Sequence, residues 1–200
     1  SEMCIRDRYD IDDWSSDDFK NGDLYGLEKA DLYLFDPDEL NDGSMQTGGE
    51  IKVELEDGVH TFGFGSNGIA YGNRNKLRKT KNSFYINGLK LEADQEYGYG
   101  VVKEDEDTYR VVDTRGKILT GDRKVIKDKE GGWLIFLNSR FAARVEDADK
   151  PRWYNGEEGP GFYHYDRSGG EDKYSGGLIV NYDSEPLLDY LADEQRLNFE

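Results

Sequence analysis

Apolar and polar residues alternate with a period of two through much of the chain, and the alternation breaks at short polar turns. The segment "EIKVELEDGVHTFGF" (residues 50–64) alternates in this way on both sides of an Asp-Gly pair at 57–58. Period-two alternation predicts strands with one buried face, and Asp-Gly favours a two-residue hairpin turn because glycine takes a positive φ without steric cost. We therefore expect a hairpin in which Leu55 lies opposite His60.

The segment "NSFYINGLKLEAD" (residues 82–94) repeats the pattern around an Asn-Gly pair at 87–88. Asn-Gly also favours a type I′ turn, in which both central positions need a positive φ. Ile86 is then expected to lie opposite Leu89, and Tyr85 to point away from the buried face.

A glycine motif, G-x-G-x-x-G, occupies residues 63–68 and raises the question of phosphate binding. A dinucleotide fingerprint of this form lies between a buried strand and a helix. The following segment, "IAYGNRNKLRKTKNS" (residues 69–83), has no helical periodicity and contains a further glycine. We therefore interpret Asn67-Gly68 as a third hairpin turn and the glycines as turn residues.

Several of these turns belong to units that share one order of features. The segments "LYLFDPDELNDGSMQTG", "HTFGFGSNGIAYG" and "TYRVVDTRGKILTG" each hold an aromatic-aliphatic strand, a polar turn ending in glycine, and a closing glycine. A fourth copy lacks the closing glycine, and a fifth, "GGWLIFLNSRFAARV", carries Arg140 in place of the turn glycine. Self-similarity at this spacing predicts supersecondary units that stack because each is too small to fold alone. The turn glycines are Gly43, Gly68, Gly88 and Gly116.

The repeats resemble those of bacterial cell-wall-binding proteins, the group that includes the choline-binding and glucan-binding repeats. The unit of that family is an aromatic hairpin with a glycine turn and a "small-x-T-G" close, which "GSMQTG" and "GKILTG" match and "GIAYG" matches loosely. The resemblance implies a stack of hairpins in a secreted protein, extracellular or associated with the cell wall, whose partner is bacterial cell-wall glycan or teichoic polymer. Choline-binding members typically carry a cage tryptophan after the close. This chain has Gly49, Asn73 and Asp122 there, so we expect a ligand other than choline.

The charge of the chain limits its partners. Its 200 residues carry a formal net charge of −17, which is unsuited to a phosphate backbone, since nucleic acids are held by lysine and arginine clusters. No apolar run approaches the length that spans a membrane. We therefore expect no nucleic-acid partner and no membrane insertion.

The chain has three acidic clusters, and the second of them holds oxygen ligands close together, as Ca²⁺ prefers. The second cluster fails the EF-hand spacing, and acidic loops are usually solvated. We expect no cofactor and no metal ligands, with Ca²⁺ as the alternative that the acidic loops leave open. The clusters lie at residues 12–18, 36–42 and 104–107.

Nucleophilic catalysis has few candidate residues in this sequence. The only cysteine is Cys4, and the two histidines have neither metal-ligand spacing nor a G-x-S-x-G motif beside them. Cys4 lies in "SEMCIRDR" (residues 1–8), whose Met-Cys-Ile-Arg-Asp run is encoded by ATG-TGT-ATA-AGA-GAC and resembles the end of a sequencing adapter. We expect these eight residues to be foreign to the natural chain.

Aromatic residues that point away from the hairpin cores are the main candidates for ligand contact. Their faces can stack on sugar rings while their polar atoms form hydrogen bonds. The alternative, which we favour for the tyrosines of the array, is that they cover the next hairpin of the stack. The candidates are Tyr85, Tyr97, Tyr99, Tyr109, Trp133, Trp153 and Tyr154.

The segment "PRWYNGEEGPGFYHYD" (residues 151–166) breaks the repeat pattern and combines aromatic residues with carboxylates. Such a mixture suits sugar binding, and a carboxylate pair is what glycoside hydrolysis requires. Glu157 and Glu158 are adjacent, so a partner such as Asp166 would have to come from the fold. The alternative is a segment that caps the last hairpin, with His164 in a structural role.

Together these patterns predict an all-β protein of tandem β-hairpins, in a solenoid-like stack or meander, with a short C-terminal helix. We expect a non-catalytic cell-wall or glycan attachment module of a larger secreted bacterial surface protein. The alternatives are a structural spacer or adhesion scaffold without glycan affinity, and a small glycoside hydrolase that uses Glu157 and Glu158. The expected segments are the foreign residues 1–8, an acidic linker or remnant repeat at 9–31, the hairpin array at 32–145, an aromatic and glycine-rich capping region at 146–183 and a helix at 184–200.

Overall fold

The chain divides into two compact units, Ser1–Leu91 (unit 1) and Glu92–Glu200 (unit 2), and the division falls inside the predicted hairpin array. The predicted turn at Gly43 and the acidic cluster around it lie outside the part of the chain that the structure describes. The computed structural model describes residues 13–22, 29–35 and 44–198, together with the backbone of residues 2–4.

The prediction of an all-β protein is confirmed. Strands hold 39% of the described residues and helical segments 6%. Among the described residues the strands form several small sheets, mostly antiparallel hairpins, and none of these sheets closes into a barrel. Most strands pair with their neighbours in sequence, as short turns require.

The described part of unit 1 contains seven short strands, which are β1 Glu2–Cys4, β2 Asp31–Tyr33, β3 Glu50–Leu55, β4 Gly58–Gly63, β5 Arg78–Lys79, β6 Phe84–Ile86 and β7 Leu89–Lys90. β1 and β2 form a parallel pair. The other five form one antiparallel sheet in the order β3-β4-β7-β6-β5. The contact between β4 and β7 joins two hairpins into one sheet, and β3 and β5 are its edges.

The hairpin of β3 and β4 confirms the predicted faces but corrects the predicted register. Leu55 pairs with Gly58, so the turn residues are 56–57, and His60 lies opposite Val53 rather than Leu55. The pairing is thus shifted by two residues from the prediction. Because side chains alternate with a period of two, an even shift leaves each of them on its predicted face.

The hairpin of β6 and β7 forms as predicted around Asn87 and Gly88. Both residues have a positive φ, 48° and 84°, and Ile86 lies opposite Leu89. Tyr85 is not exposed to solvent as predicted, since only 4% of its surface is accessible.

The segment at residues 69–72 covers the face of β6 that the sequence pattern left open. The turn at 87–88 donates two backbone hydrogen bonds to it, to the carbonyls of Gly72 at 2.8 Å and Tyr71 at 2.7 Å. The ring of Tyr71 meets the ring of Tyr85 edge-on, with centroids 5.1 Å apart. β6 is therefore buried on both faces, which the alternation within a single hairpin cannot reveal.

The glycine motif closes a hairpin turn, as predicted, but the turn is wider than the two-residue type I′ turn that an Asn-Gly pair favours, because Asn67 is not among the described residues with a positive φ. Phe64 makes an antiparallel bridge with Ala70, the Gly65 N–H donates to the Ile69 carbonyl at 2.9 Å, and Gly68 has a φ of 80°. The Gly68 N–H donates to the Gly65 carbonyl, also at 2.9 Å. The motif therefore uses its glycines to close a turn, as predicted.

The helix α1, Ser16–Asn21, lies in the segment that was predicted to be an acidic linker or remnant repeat. Asp18 caps its N-terminus by accepting the backbone N–H of Ser15 at 2.8 Å. Phe19 is fully buried, and its ring centroid lies 5.0 Å from that of Phe62. The helix is therefore part of the core of unit 1 rather than a linker.

Asn87 ties α1 to the sheet. Its side chain is fully buried, and its amide nitrogen donates to the Phe19 carbonyl at 3.0 Å and to Asn75 Oδ1 at 2.7 Å. Its amide oxygen accepts the backbone N–H of Asn75 at 2.9 Å. Because a buried amide is costly to leave unpaired, these bonds fix the helix, the segment around Asn75 and the hairpin in one arrangement.

The described part of unit 2 contains eight strands, which are β8 Tyr99–Lys103, β9 Tyr109–Asp113, β10 Lys124–Lys127, β11 Trp133–Leu137, β12 Arg140–Val145, β13 Arg152–Gly156, β14 Gly159–Tyr163 and β15 Leu178–Val180. They form the hairpin β8-β9 and the three-stranded sheets β10-β11-β12 and β13-β14-β15. Every pairing among these strands is antiparallel.

β11 lies between two apolar clusters. Ile135 belongs to one cluster, with Val145 and Phe162, and Phe136 belongs to a second, with Val111. A strand that is buried on both faces is encoded by a continuous apolar run rather than by alternation, and "WLIFL" is such a run. The core of unit 2 is therefore organised around this strand.

The aromatic and glycine-rich region at 146–183, which was predicted to cap the last hairpin, contains a three-stranded sheet rather than a loop, and its Phe162 packs with Ile135 of β11. β13 and β14 form a hairpin with Glu157 and Glu158 as its two turn residues, and β15 adds to β14. Pro160 lies in β14 opposite Asn155, beyond the positions where β15 pairs with β14. Its missing N–H is tolerated there because β14 has no second neighbour at that level.

The prediction of a helix at 184–200 is wrong for the described residues of the tail, 184–198. The helical turn found there is a short 3-10 helix at Asp193–Gln195. The Leu187 N–H donates to the Ala142 carbonyl at 2.8 Å, and Leu197 forms a similar bond to β8 at 2.9 Å. The tail therefore directs backbone groups to strands far away in sequence, which an α-helix would have used internally.

Arg144 carries a buried charge in unit 2. Its side chain is 7% exposed, and Nε donates at 2.7 Å to Asp128, whose side chain is 1% exposed. Its terminal nitrogens donate to the carbonyls of Gly131 at 2.9 Å and Tyr190 at 3.2 Å. Burial by itself would lower the pKa of Arg144, but the hydrogen bond and charge of Asp128 raise it. One guanidinium therefore joins β12, the turn before β11 and the tail.

Asp128→Asn is expected to lower the free energy of unfolding by about 3 kcal/mol, because it removes the buried counter-charge of the guanidinium. Glu146→Gln is the matched control, since Glu146 accepts from the same guanidinium at 3.3 Å but its side chain is 72% exposed. Losing this exposed pair should cost less than about 1 kcal/mol. Urea denaturation followed by circular dichroism measures both variants, and equal losses would contradict the prediction.

Gly72→Ala is expected to destabilise unit 1 far more than Gly49→Ala, although the two glycines have nearly the same φ, 70° and 71°. A Cβ at Gly72 would lie 2.3 Å from the carbonyl oxygen of Tyr85, whereas at Gly49 it would meet nothing within 4 Å. Alanine at such a φ costs roughly 1 kcal/mol at either position. The clash at position 72 should add about 2 kcal/mol or more. Urea midpoints that shift equally in the two variants would refute this.

Candidate ligand-binding site

The predicted ligand-binding aromatic residues of unit 2 are mostly half-buried. Tyr99, Tyr109, Trp133 and Trp153 pack against the two apolar clusters. Tyr97 is half-buried as well, and burial together with neighbouring carboxylates raises its pKa. Tyr99, Tyr109, Trp133 and Trp153 therefore have the covering arrangement rather than that of an exposed sugar-binding face.

Tyr85, the candidate of unit 1, is buried and bonded to a carboxylate. Its hydroxyl donates to Glu50, which also lies 3.1 Å from the ammonium of Lys90. Burial, followed by the hydrogen bond to Glu50, raises the pKa of Tyr85. Burial alone would also raise the pKa of Glu50, but Tyr85 and Lys90 bring it below its ordinary value. This group stabilises the sheet and does not present an open aromatic face.

Tyr154 is the exposed member of the predicted set, with 41% of its surface accessible. Its ring stacks on Tyr174, with centroids 3.9 Å apart and 3° between the planes. Tyr163 lies edge-on to Tyr154 at 5.5 Å, and Tyr165 is tilted against Tyr174 at 5.4 Å. We call these four residues the tyrosine cluster.

A cleft with a volume of about 520 Å³ shares Tyr165 with the tyrosine cluster, and this volume is within the range of small-molecule sites. It is formed by the segment after β12, the segment after β14 and the segment before β15. We call it the acidic cleft, and its polar lining residues are Asp147, Asp149, His164, Asp166, Lys173 and Ser175.

The segment between β14 and β15 forms two sides of the acidic cleft, and hydrogen bonds within the segment bring these sides together. The His164 N–H donates to the Gly177 carbonyl at 3.0 Å, and the Asp166 N–H donates to the Lys173 carbonyl at 2.8 Å. The antiparallel ladder thus continues beyond the ends of the strands. A Cβ at Gly176 would lie 2.6 Å from the Cβ of His164, so glycine at this position lets the two sides approach.

His164 is oriented by Asp147. Its Nδ1 lies 2.6 Å from Asp147 Oδ2, and the backbone of Asp147 is itself held by Trp133, whose Nε1 donates to the Asp147 carbonyl at 3.1 Å. With Nδ1 directed at a carboxylate, Nε2 is the ring nitrogen available to a ligand. The pair can therefore orient a hydroxyl group in the cleft.

Backbone amides hold the other two carboxylates of the acidic cleft. Asp149 accepts the N–H of Arg167 at 2.8 Å, and Asp166 accepts the N–H of Ser168 at 2.8 Å. Each of these bonds uses one carboxylate oxygen, and an ionised carboxylate has further acceptor capacity on both oxygens. The cleft thus presents fixed acceptors to a ligand.

Nucleophilic catalysis is poorly supported by the acidic cleft. Ser175 and His164 both line it, but the hydrogen bonds found among the described residues include none between them, and that link is what activates a serine. Glu157 and Glu158, the predicted glycosidase pair, form the turn between β13 and β14 and do not line the cleft. Glu158 accepts a backbone N–H of β15 at 3.0 Å.

The acidic cluster at 36–42, which was the calcium candidate, lies outside the described residues, and the cluster at 104–107 forms local bonds. In the cluster at 104–107, Glu104 pairs with Arg110 at 3.0 Å, and Asp105 accepts the N–H of Asp107 at 3.0 Å. Within the described ranges, no three His, Cys, Asp or Glu side chains are grouped to hold a metal ion.

Comparison of the chain with family models, with curated proteins and with solved structures finds no match. The resemblance to cell-wall-binding repeats therefore stays a prediction. In the part of the chain that the structure describes, no helix combines the length and the apolar character needed to cross a membrane.

Three residues that define the site, Asp147, Asp149 and Tyr174, were not among the sequence candidates. Asp147 follows β12 in "VEDADK", a stretch that is typical of a solvated turn. Tyr174 lies in "SGGEDKYSGG", where a single aromatic residue stands between glycine pairs. An aromatic residue in a segment that is otherwise typical of a loop is the signal that could have indicated Tyr174.

Tyr85→Phe is expected to make unit 1 less sensitive to alkaline pH. The pKa of Tyr85 is raised above the unfolded value of about 10. Its contribution to stability is therefore fully present below pH ~10 and is lost as pH rises through the folded-state pKa. The free energy of unfolding, measured by urea denaturation between about pH 9 and 11, should decline less steeply in the variant. Tyr154→Phe, at an exposed ring, is the control, and parallel curves for Tyr85→Phe and the unaltered chain would contradict the prediction.

Proposed function

We propose that the chain is a non-catalytic attachment module that binds cell-wall glycan, as part of a larger secreted bacterial surface protein. The observation that carries this proposal is the acidic cleft beside the tyrosine cluster. An exposed aromatic surface and fixed carboxylates adjoin a cavity of about 520 Å³. Hairpins closed by positive-φ glycines, which occur in both units, add support.

A neutral sugar unit suits both parts of this surface. The C–H face of a sugar ring packs on aromatic rings, and Tyr154 is 41% exposed. Sugar hydroxyls donate hydrogen bonds, and ionised carboxylates accept them, so Asp149 and Asp166 are complementary to a sugar. His164, oriented by Asp147, offers a further partner for a hydroxyl group.

Charge favours a neutral glycan over a polyanionic polymer at this site. The acidic cleft is lined by three carboxylates and one lysine, and the chain carries a net charge of −17. An anionic polymer would be repelled at such a surface, because like charges disfavour association. The proposed ligand of the acidic cleft is therefore the neutral glycan part of the wall rather than teichoic polymer.

The proposal predicts saturable co-sedimentation of the chain with purified Gram-positive cell walls from which teichoic polymer has been removed. Tyr154→Ala and Asp166→Asn are each expected to weaken binding about tenfold, because each removes a contact worth roughly 1–2 kcal/mol. Tyr190→Ala is the matched control, since Tyr190 is 51% exposed and does not line the cleft. The bound fraction is measured against wall concentration.

Three outcomes would count against the proposal. A chain that does not sediment with walls under any condition would favour the spacer or scaffold alternative. An equal loss of binding in Tyr190→Ala would indicate non-specific adhesion of exposed aromatic residues. Release of reducing sugar from the walls, abolished by Glu157→Gln or Glu158→Gln, would favour the glycoside hydrolase alternative.

A further inference from the structure

One segment of unit 1 is strongly basic, although the chain as a whole is acidic. Residues 69–91 contain six lysine or arginine residues and no aspartate or glutamate, against a net charge of −17 for the chain. Charge that is segregated in this way indicates a local surface with its own binding preference. The six residues are Arg74, Lys76, Arg78, Lys79, Lys81 and Lys90.

Some of these cations are neutralised by the fold and others are not. Arg74 and Lys90 each form an ion pair with a carboxylate, at 3.0 and 3.1 Å. Lys76 and Arg78 are exposed and have no carboxylate partner among the described residues. Their charge is therefore available to an anion from solution.

Arg78 is held in place by an aromatic ring. Its guanidinium carbon lies 4.3 Å from the ring centroid of Tyr71, a cation–π contact. Tyr71 in turn packs edge-on against the buried ring of Tyr85. The guanidinium is thus positioned before a ligand arrives, which reduces the entropy lost when its N–H groups bind.

A pocket with a volume of about 460 Å³ lies at this basic segment. Lys76, Arg78 and Lys79 line it together with the turn of the glycine motif. Gly72, also in the lining, cannot carry a side chain, because a Cβ there would meet the backbone oxygen of Tyr85 at 2.3 Å. We call this cavity the basic pocket.

The positive charge of the basic pocket comes from side chains rather than from the amides of the glycine motif. The N–H groups of Gly65 and Gly68 donate to carbonyls within the turn, each at 2.9 Å. A guanidinium binds oxyanions through paired N–H groups, and an ammonium acts as a point charge. We propose that the basic pocket binds an oxyanion group, phosphate or carboxylate, carried by a sugar-sized ligand.

This inference does not depend on the proposed function. The basic pocket lies in unit 1, whereas the acidic cleft lies in unit 2, and the two carry opposite charge. Because like charge repels and unlike charge attracts, an anionic group is favoured at one and disfavoured at the other. Substitutions in one site therefore leave the chemistry of the other intact.

Isothermal titration of the full chain with inorganic phosphate, glycerol phosphate, glucuronate, neutral glucose and a single-stranded oligonucleotide tests the proposal. The variant Lys76→Gln/Arg78→Gln is expected to bind the preferred anion at least about tenfold more weakly, since both residues supply charge-assisted hydrogen bonds. Lys52→Gln/Lys81→Gln is the matched control. It removes the same charge from exposed residues of unit 1 that do not line the pocket. The amide chemical shift of Gly72 reports whether the pocket itself is occupied.

Each outcome of the titration supports or overturns the proposal that the basic pocket binds an oxyanion. Tighter binding of glycerol phosphate than of glucuronate identifies a phosphate ligand, the reverse identifies a carboxylate ligand, and both support the proposal. Absence of anion binding, equal binding of glucose, or equal weakening in the control variant overturns it. Binding of a single-stranded oligonucleotide without binding of the small anions also overturns it and indicates a nucleic-acid surface. Wall binding should be unchanged in Lys76→Gln/Arg78→Gln, which distinguishes failure here from failure of the proposed function.

Discussion

Each unit depends on one buried polar side chain whose hydrogen bonds must all be satisfied. Arg144 joins β12, the turn before β11 and the tail of unit 2, and Asn87 joins α1 to the sheet of unit 1. A two-stranded hairpin by itself is at most marginally stable, so small sheets depend on contacts with neighbouring segments. A buried polar group fixes them because other arrangements leave a donor or a charge unpaired. The hydrogen bonds of these two buried side chains therefore help to specify the fold of each unit, together with apolar packing.

The same structural device supports two sites of opposite chemistry. In the acidic cleft, Gly176 lets the segment before β15 approach His164, and in the basic pocket Gly72 lets the backbone approach β6. In both cases a glycine at a close backbone contact brings polar side chains from separate segments to one cavity. The hairpins serve as a rigid support, and the residues that follow the strands set the charge of the site. Fold and ligand preference are thus separable in this chain.

The alternation of apolar and polar residues predicted the positions of strands, but it did not predict which segments pack against them. The turn at Asn87 was predictable because strand pattern and turn residues agree at that point. The tail was not, because Leu187 bonds to a strand far away in sequence and its apolar spacing also fits a helix. The acidic cleft was predictable in part, since His164 lies in a segment that mixes aromatic and acidic residues. Asp147 comes from a separate segment and meets His164 only through the fold.

The outer strands of two sheets carry positive charge along their open edges. β5 consists of Arg78 and Lys79, and β10 begins at Lys124 and ends at Lys127. An unpaired strand edge is a template for pairing with another chain, and cationic side chains there oppose such pairing because like charges would meet. Pairing of two copies of the chain through β5 or through β10 is therefore disfavoured.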